Sequence, residues 1–545
     1  MTRYTLNVDP ATVQTPGSKV EATVEGTESK VLLVNVKGKL SALSPKCTHY
    51  GAPLVKGVLT SDGRITCPWH GACFSATTGD IEDAPALDPL VSFECSHQDG
   101  KITIEAEEKD LKAGRRVPKS AALATTAQTQ DHVVVVGGGA GGMGTVEGLR
   151  EGGFKGKITV LGKENHGPID RPKLSKALLT DLNKLQWRTP EFLKSELEVD
   201  FHPNTIVTKI DSAAKTITTE GGRSFSYTTA VLATGGTPRT LPLPGFKDLK
   251  NIFVLRDVPS AQAIVNATSG GRKKVAVVGS SFIGLEIAAC LSKNHDVTVI
   301  GMESAPLERV LGVEVGNRAR KLLEKSGVQF KLSVGVDAAT PSDADKTSVG
   351  GIQLKGGDFV PAEVVICGVG VAPETTYLKE SGWNLDKDGG VTVDQNFAVQ
   401  GQTNIYAVGD IARYPYLFDQ NTPVRIEHWN VAINAGRAVG RLIAGPTSNA
   451  GNVPAQFIPV FWSALGSQVR YCGHPANGFD EVVVLPEGAP EDKFIAYYAK
   501  SGKVVAVATA GTDPAMVKSA ELLRASKFPS IAEIKQGVDI LALSV

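Results

Sequence analysis

The chain has 545 residues, enough for three or four domains. Lys plus Arg and Asp plus Glu number 57 each, so the formal net charge is zero, and no basic stripe or polybasic run points to nucleic acid or a membrane surface. No continuous apolar run of about 18 residues is present, so no membrane span is expected, and the seven dispersed Cys suit a reducing compartment, cytoplasmic or another intracellular one, better than a disulfide scaffold.

Residues 1–105 read as a small all-β domain. Met1-Thr2-Arg3-Tyr4 runs into strand-like alternation and not into an apolar signal core. Lys30-Val31-Leu32-Leu33-Val34-Asn35-Val36 and Lys101-Ile102-Thr103-Ile104 are the clearest strands, and Lys37-Gly38-Lys39-Leu40 reads as a hairpin turn. Between them lie Cys47-Thr48-His49 and Cys67-Pro68-Trp69-His70, on loops separated by the β-like Val58-Leu59 and Arg64-Ile65-Thr66. A Rieske [2Fe–2S] cluster needs two Cys on one iron and two His on the other, so Cys47, His49, Cys67 and His70 are its expected ligands. Gly51-Ala52 and Gly71-Ala72 would let backbone amides approach the sulfurs. Zinc competes for such a donor set, although zinc-finger spacing puts two Cys in one half and two His in the other. Here each half mixes them.

Residues 106–131 turn polar and read as a linker, opening with Glu105-Ala106-Glu107-Glu108-Lys109 and closing after Ala121-Ala122-Leu123-Ala124-Thr125-Thr126. A flexible linker of about 25 residues would span roughly 25–30 Å. Four consecutive Val, Val133–Val136, then make a strand buried on both faces. Gly137, Gly139 and Gly142, with Ala140 between, match G-x-G-x-x-G, which suits a tight turn with a pyrophosphate at a helix N-terminus. The next strand, Lys157-Ile158-Thr159-Val160-Leu161, is followed by Gly162-Lys163 and then Glu164, the nearest carboxylate for a ribose. A second copy runs from Lys274 through Gly279, Ser280, Ser281 and Gly284, with Ser281 at the middle glycine position and Glu286 in the first turns of the helix. Its second strand, Asp296-Val297-Thr298-Val299-Ile300, has Glu303 three residues on, a carboxylate that favours NADH with NADPH left open. Two such motifs imply two nucleotides facing each other.

Three more segments resemble the two-dinucleotide flavoproteins: the strand ending at Thr234-Gly235, its counterpart ending at Gly370, and Thr403-Asn404-Ile405-Tyr406-Ala407-Val408-Gly409-Asp410. In this order the whole chain resembles the Rieske-containing oxidoreductases similar to apoptosis-inducing factor, and its flavoprotein half resembles the reductases of aromatic-ring dioxygenase systems. Asp170-Arg171-Pro172-Lys173-Leu174-Ser175-Lys176 carries most of that likeness. The resemblance implies FAD, NADH and a Rieske cluster as cofactors. It places Arg171 and Lys176 against the flavin, where cations stabilise the anion formed on reduction. It also implies Val207, Arg256, His428-Trp429 and Trp462 around the flavin, and Asp410 at its ribityl chain.

Two departures from related proteins bear on the chemistry. Cytochrome-bc-type Rieske proteins have a disulfide across the cluster loops where this chain has Ala52 and Trp69, and hydroxyls near the cluster where it has Ala72 and Phe74. Fewer hydrogen bonds to sulfur imply a potential low in the Rieske range of roughly −150 to +300 mV. Disulfide reductases of this fold carry a close Cys pair beside the flavin, whereas Cys290, Cys367 and Cys472 are widely separated. With Cys73 and Cys95 they read as buried structural residues.

The expected architecture is multidomain: an all-β Rieske domain (1–105), a linker (106–131), an α/β Rossmann-like FAD domain in two parts (132–250 and 380–445) around an NAD domain (251–379), and a C-terminal α+β domain (446–545). In the last, Phe494–Tyr498 and Val504–Ala508 read as strands, and the stretch from Ala515 as a helix. The expected function is NAD(P)H:acceptor oxidoreduction, from NADH through FAD to the cluster. The acceptor is left open among an oxygenase, a cytochrome, a quinone and a small oxidant, as is the oligomeric state. The alternative is a redox-sensing interaction protein of the apoptosis-inducing-factor type with slow turnover.

Overall fold

Residue-by-residue alternation explains the N-terminal β-region of the computed structural model, which describes residues 1–118, 130–445 and 457–545. Its strands are β1 (Thr2–Asn7), β2 (Lys19–Val24), β3 (Lys30–Val36), β4 (Lys39–Leu43), β5 (Val58–Leu59), β6 (Arg64–Thr66), β7 (Cys73–Ser75), β8 (Ile81–Asp83), β9 (Ser92–Gln98) and β10 (Lys101–Ala106). A closed barrel has the order β1-β10-β9-β4-β3-β2, and a four-stranded sheet runs β5-β6-β7-β8. On β3, Val31 and Leu33 fill the barrel with Ala22, Ile102 and Ile104. Leu32 and Val34, pointing the other way, pack with Cys47, Cys67 and Phe74. One strand therefore supports both the barrel and the cluster loops. The Lys37-Gly38 turn has positive φ at both residues (53° and 89°), the two-residue hairpin form that twists with its strands.

The chain after Ala106 differs from the expected linker. Glu105 and Ala106 still pair with Arg3 and Thr2, and α1 (Glu108–Ala113) follows, closed by Gly114 at φ 66°. Its Leu111 packs into the barrel core, and Arg116 donates from Nε to Leu90 O at 3.1 Å. One apolar residue on an otherwise polar turn was too weak a periodic signal to announce this helix. The run Ala121–Thr126 lies outside the described residues.

The reductase part contains two parallel five-stranded sheets. The first has the order Val199–His202, β12 (Lys157–Leu161), β11 (His132–Val136), Thr229–Leu232 and Ile405–Ala407. Its last strand returns after the whole second sheet: Ile252–Phe253, Val364–Cys367, Lys274–Val278, Asp296–Ile300, Gln329–Lys331. An antiparallel sheet, Val460–Ala464, Gln468–Gly473, Lys503–Ala510, Phe494–Lys500, Glu481–Leu485, follows in the C-terminal part. Helices that position the site are α2 (Ala140–Glu151), α3 (Pro172–Ala177), α4 (Phe282–Leu291), α5 (Trp429–Ala444) and α6 (Ala515–Arg524). Helices α2 and α5 pack backbone to backbone. A Cβ on Gly144 would meet Ile433 O at 2.4 Å, and one on Gly440 would meet Thr145 O at 2.3 Å. No helix among the described residues is long and apolar enough to cross a membrane.

The β-rich head is clamped onto the reductase by buried polar contacts. Asn434 Oδ1 accepts from Ala84 N and Asn430 Nδ2 donates to Ala84 O, both at 2.8 Å. Arg470 Nε donates to Trp69 O at 2.6 Å, and Thr66 Oγ1 donates to Glu521 of α6 at 2.8 Å. Glu147 of α2, fully buried, pairs with Arg188 (2.8 Å) and Arg437 of α5 (3.1 Å). Burial pushes its carboxyl above the usual range, against the pull of both guanidiniums. Arg188 continues to the head through Asp88 (2.9 Å) and Leu87 O (3.1 Å). Removing one partner of such a network leaves a desolvated charge behind. Arg188→Ala should therefore cost about 3–5 kcal/mol of stability, read as a lower urea midpoint at unchanged far-UV dichroism.

Candidate functional site

The two cluster loops are built alike. Cys47 N donates to Ala52 O (2.9 Å) and Gly51 N to Cys47 O (2.9 Å); Cys67 N donates to Ala72 O (2.8 Å) and Gly71 N to Cys67 O (3.3 Å). Gly51 and Gly71 sit at φ 79° and 75°, the left-handed region where glycine carries no Cβ strain. The loops bring all four expected ligands together and bury them. His49 Nδ1 and His70 Nδ1 lie 3.1 Å apart. The two thiols touch: Cys47 is raised by its hydrogen bond with Cys67 and by burial. Cys67 is held low although burial pushes it up, because Cys47 and the amides of Trp69 and His70 donate to it. Amides of His49 and Tyr50 serve Cys47 in the same way.

The donors thus come as a sulfur pair and an imidazole pair. No three or more His, Cys, Asp or Glu side chains among the described residues are arranged around one ion. A sulfur pair and an imidazole pair are what two irons with unlike ligands require. The positions expected to lack hydroxyls, Ala72 and Phe74, are fully buried beside the sulfurs.

The histidine edge faces the reductase through a group of rings. Tyr50 stacks on His49 (3.8 Å between centroids, 14°), and Trp187 lies near-parallel to it (5.6 Å, 19°). Trp462, expected at the flavin, packs against the cluster ligands, 4.3 Å from His70 and 5.5 Å from His49. Strand Val460–Ala464 carries it there under the docked head, a long-range placement that its local sequence does not encode. Trp429 opens α5 and lies 6.2 Å from Trp187. The Tyr50 hydroxyl donates to the buried Asp170 carboxylate, and Lys173 Nζ sits 5.0 Å over the Tyr50 ring. Asp170 opens the motif that runs to Lys176, but its sequence assigns it no partner, and neither Tyr50 nor Trp187 is marked by the sequence. Tyr50 follows a cluster ligand directly, whereas Trp187 carries no motif at all.

On the flavin side, Gly137 (φ 114°) lies so close to the neighbouring strand that a Cβ would meet Ala233 O at 2.2 Å, and one on Gly142 would meet Gly137 O at 2.0 Å. Gly139 is the N-cap of α2 and Ala140 its first residue. Arg171 grips Glu164 with two bonds (3.0 and 2.8 Å) and donates to Arg256 O at 2.5 Å. Arg256 reaches Asp410 at 3.3 Å. Gly235 leaves room for it, since a Cβ there would lie 2.7 Å from the Arg256 guanidinium. Thr234 Oγ1 donates to Glu374 O at 2.6 Å, and Gly409 (φ 73°) precedes Asp410. These residues form one polar cluster at the ends of adjoining strands. Lys163 is exposed beside it, and Val207 is half-buried at the start of strand Val207–Asp211. His428 is half-buried, and desolvation pushes its imidazole down to about 3, hence neutral. His428 Nδ1 and Trp187 Nε1 are buried polar atoms without a hydrogen-bond partner among the described residues. Buried polar atoms are ordinarily paired, and a bound flavin is a group that fits this polar, ring-lined space.

The second glycine turn repeats the first. Gly279 stands at φ 105°, and a Cβ on Gly284 would meet Gly279 O at 2.5 Å. Ser281 does more than replace a glycine: its Oγ donates to Gly368 O at 2.7 Å and caps α4 at Gly284 N. Gly370 is exposed at φ 93°. Glu303 accepts from Ser280 Oγ (3.3 Å) and pairs with the exposed Arg309 (3.0 Å). Glu286, expected with the nucleotide turn, faces the other way. It is buried and holds Lys176 at 2.8 Å, accepting also from Ser175 (2.5 Å) and Ser463 (2.6 Å). Its position five residues into α4 rotates it away from the glycine turn and onto α3.

All seven cysteines are unpaired with one another in disulfides; Cys73, Cys367 and Cys472 are buried as expected, whereas Cys95 and Cys290 are half-buried.

Residues 6–94 match the Rieske [2Fe-2S] domain family and residues 131–436 the pyridine nucleotide-disulphide oxidoreductase family. The chain is 36% identical over 506 residues to human apoptosis-inducing factor 3, covering 91% of this chain and 80% of the relative. It is 31% identical over 347 residues to the ferredoxin–NAD(+) reductase subunit of the benzene 1,2-dioxygenase system of Pseudomonas putida, covering 63% and 80%. The reductase in a covalent putidaredoxin reductase–putidaredoxin complex superposes with a TM-score of 0.68 at 27% identity, covering 74% of this chain and 95% of that one. The cofactors are thus a [2Fe–2S] cluster, FAD and NAD(H). Introducing a hydroxyl beside the sulfurs should stabilise the reduced cluster. Phe74→Tyr is expected to raise the cluster potential by roughly 20–65 mV, the equivalent of one hydrogen bond of ~0.5–1.5 kcal/mol in a one-electron couple, in an EPR-monitored redox titration.

Proposed function

Since the chain belongs to the pyridine nucleotide-disulphide oxidoreductases, in the apoptosis-inducing-factor-like group that carries a Rieske domain, we propose that it takes electrons from NADH through FAD to its own cluster and on to an external acceptor. FAD supplies the conversion the pathway needs, because nicotinamide delivers electrons in pairs and the cluster takes them singly. The observation that carries this reading is the docking of the histidine edge: His49 and His70 are buried against Trp187 and Trp462 of the reductase part. In the structural neighbour the reductase was solved in complex with putidaredoxin; here a Rieske domain on the same chain meets the reductase.

The chain's own residues prepare the flavin site. Glu286 and its two serines fix Lys176, a cation that would stabilise the charge developing on a flavin bound beside it. Arg171, braced by Glu164, offers a second cation toward the pyrophosphate. The first turn of α2 presents its N-terminus to that same phosphate. Neutral His428, packed on Phe461 at 4.7 Å, would add an uncharged ring to that site. The acceptor is an external oxidant, with one-electron carrier proteins the class most compatible with the reductase relatives.

Anaerobic stopped-flow mixing with NADH tests the path. Flavin bleaching followed within one turnover by the reduced cluster's EPR signal is expected. Bleaching with a cluster that stays oxidised would overturn the internal path and favour a slow-turnover redox sensor. Glu303 at the adenosine end supports NADH over NADPH, and Arg309 beside it tempers the preference. Glu303→Arg should shift the NADH/NADPH ratio of kcat/KM toward NADPH by about tenfold, or ~1.4 kcal/mol.

A further inference from the structure

Trp187 lies where three parts of the molecule meet. It packs against a buried cluster drawn from all three: Ala84 and Leu87 of the head, Met143 of α2 and Ile433 of α5. It lies 5.6 Å from His49 at 19° and 6.2 Å from Trp429. The backbone on both sides is fixed. Trp187 N donates to Pro168 O at 2.9 Å, Gln186 accepts from Gly167 N at 3.0 Å, and Arg188 is locked between Glu147 and Asp88. A tryptophan held this firmly is costly to place in a polar strap for packing alone, because its indole N–H is buried without a partner among the described residues. The placement serves a purpose that core packing does not require.

We infer that Trp187 is the contact that couples the His49 edge of the cluster to the flavin site. This rests on the electron path proposed above. In each transfer one electron leaves the reduced flavin and one arrives on the oxidised cluster. No bond forms or breaks, and Trp187 ends as it began. The second electron follows once the external acceptor has reoxidised the cluster. Trp187 is therefore a positioning and coupling residue, and it takes no part in binding NADH.

Trp187→Leu removes the ring and Trp187→Phe keeps a smaller one; Trp187→Met replaces the Leu variant if that does not fold. With NADH under anaerobic conditions, the flavin bleaching rate of each variant serves as the internal reference against which its cluster reduction is read. Freeze-quench EPR should show cluster reduction slowed about tenfold in the aliphatic variant, equivalent to ~1.4 kcal/mol of barrier, and less in Trp187→Phe. Redox titration should return the wild-type cluster potential, and thermal melting a lower Tm in the aliphatic variant from lost packing. Cluster reduction that keeps its wild-type ratio to flavin bleaching would overturn the inference and leave Trp462 as the contact. So would a slowing that tracks a shifted cluster potential, since Trp187 would then only tune the cluster. The wild-type protein in the same mixing experiment separates this inference from the proposed path: a wild-type cluster that is never reduced defeats the path itself, whatever the variants do.

Discussion

The arrangement depends on one buried charge, the carboxylate of Glu147 in α2. It is desolvated at a helix pair whose glycines bring two backbones into contact, and it is stable there because Arg437 and Arg188 both meet it. Arg437 belongs to the partner helix, so one bond locks the helix pair that presents the flavin turn. Arg188 belongs to the strap after α3, and its other nitrogens reach Asp88 and Leu87 of the head. A single network thereby sets where the head lies relative to the flavin helix. Buried ion pairs often add little net stability, yet they penalise every alternative arrangement that would strand a charge. In a chain whose purpose is to hold two redox sites in register, that penalty is useful.

From this follows the geometry of the cluster. Thr48, between the two ligands of the first loop, donates to Asp88 O at 2.5 Å. The segment that receives Arg188 is thus hydrogen-bonded to the ligand loop itself. Small displacements of the head are resisted at the loop and not only at the domain surface. The rings around His49 and His70 complete the contact with apolar area.

What could be read from the residues alone is what depends on local geometry. Gly137, Gly142, Gly279 and Gly284 stand where a Cβ would collide with a carbonyl oxygen, and that constraint writes itself into a short spacing. Cys47, His49, Cys67 and His70 are equally local, two ligands per turn. The positions that escaped are joined across long stretches of chain. Tyr50 meets Asp170 across 120 residues, and Glu286 turns from its own nucleotide motif to Lys176 because α4 packs on α3. Trp462 is drawn to the cluster by a strand of the C-terminal sheet. Trp187 had no pattern to betray it. The helix α1 was hidden for a different reason: a six-residue turn with one buried leucine has almost no periodicity to detect.

The exposure of Tyr50 has a consequence for traffic through the molecule. With the head docked, His49 and His70 are 7% and 6% exposed and Trp462 is 7% exposed, whereas Tyr50, stacked on His49, is 36% exposed. The histidine edge is closed by its contact with the rest of the chain. Among these four rings, a carrier arriving from solvent meets Tyr50 first, with the Lys173 charge above it. The ring group that shields both imidazoles is thus closed by burial everywhere among these four except at one phenol, which is itself tied to Asp170.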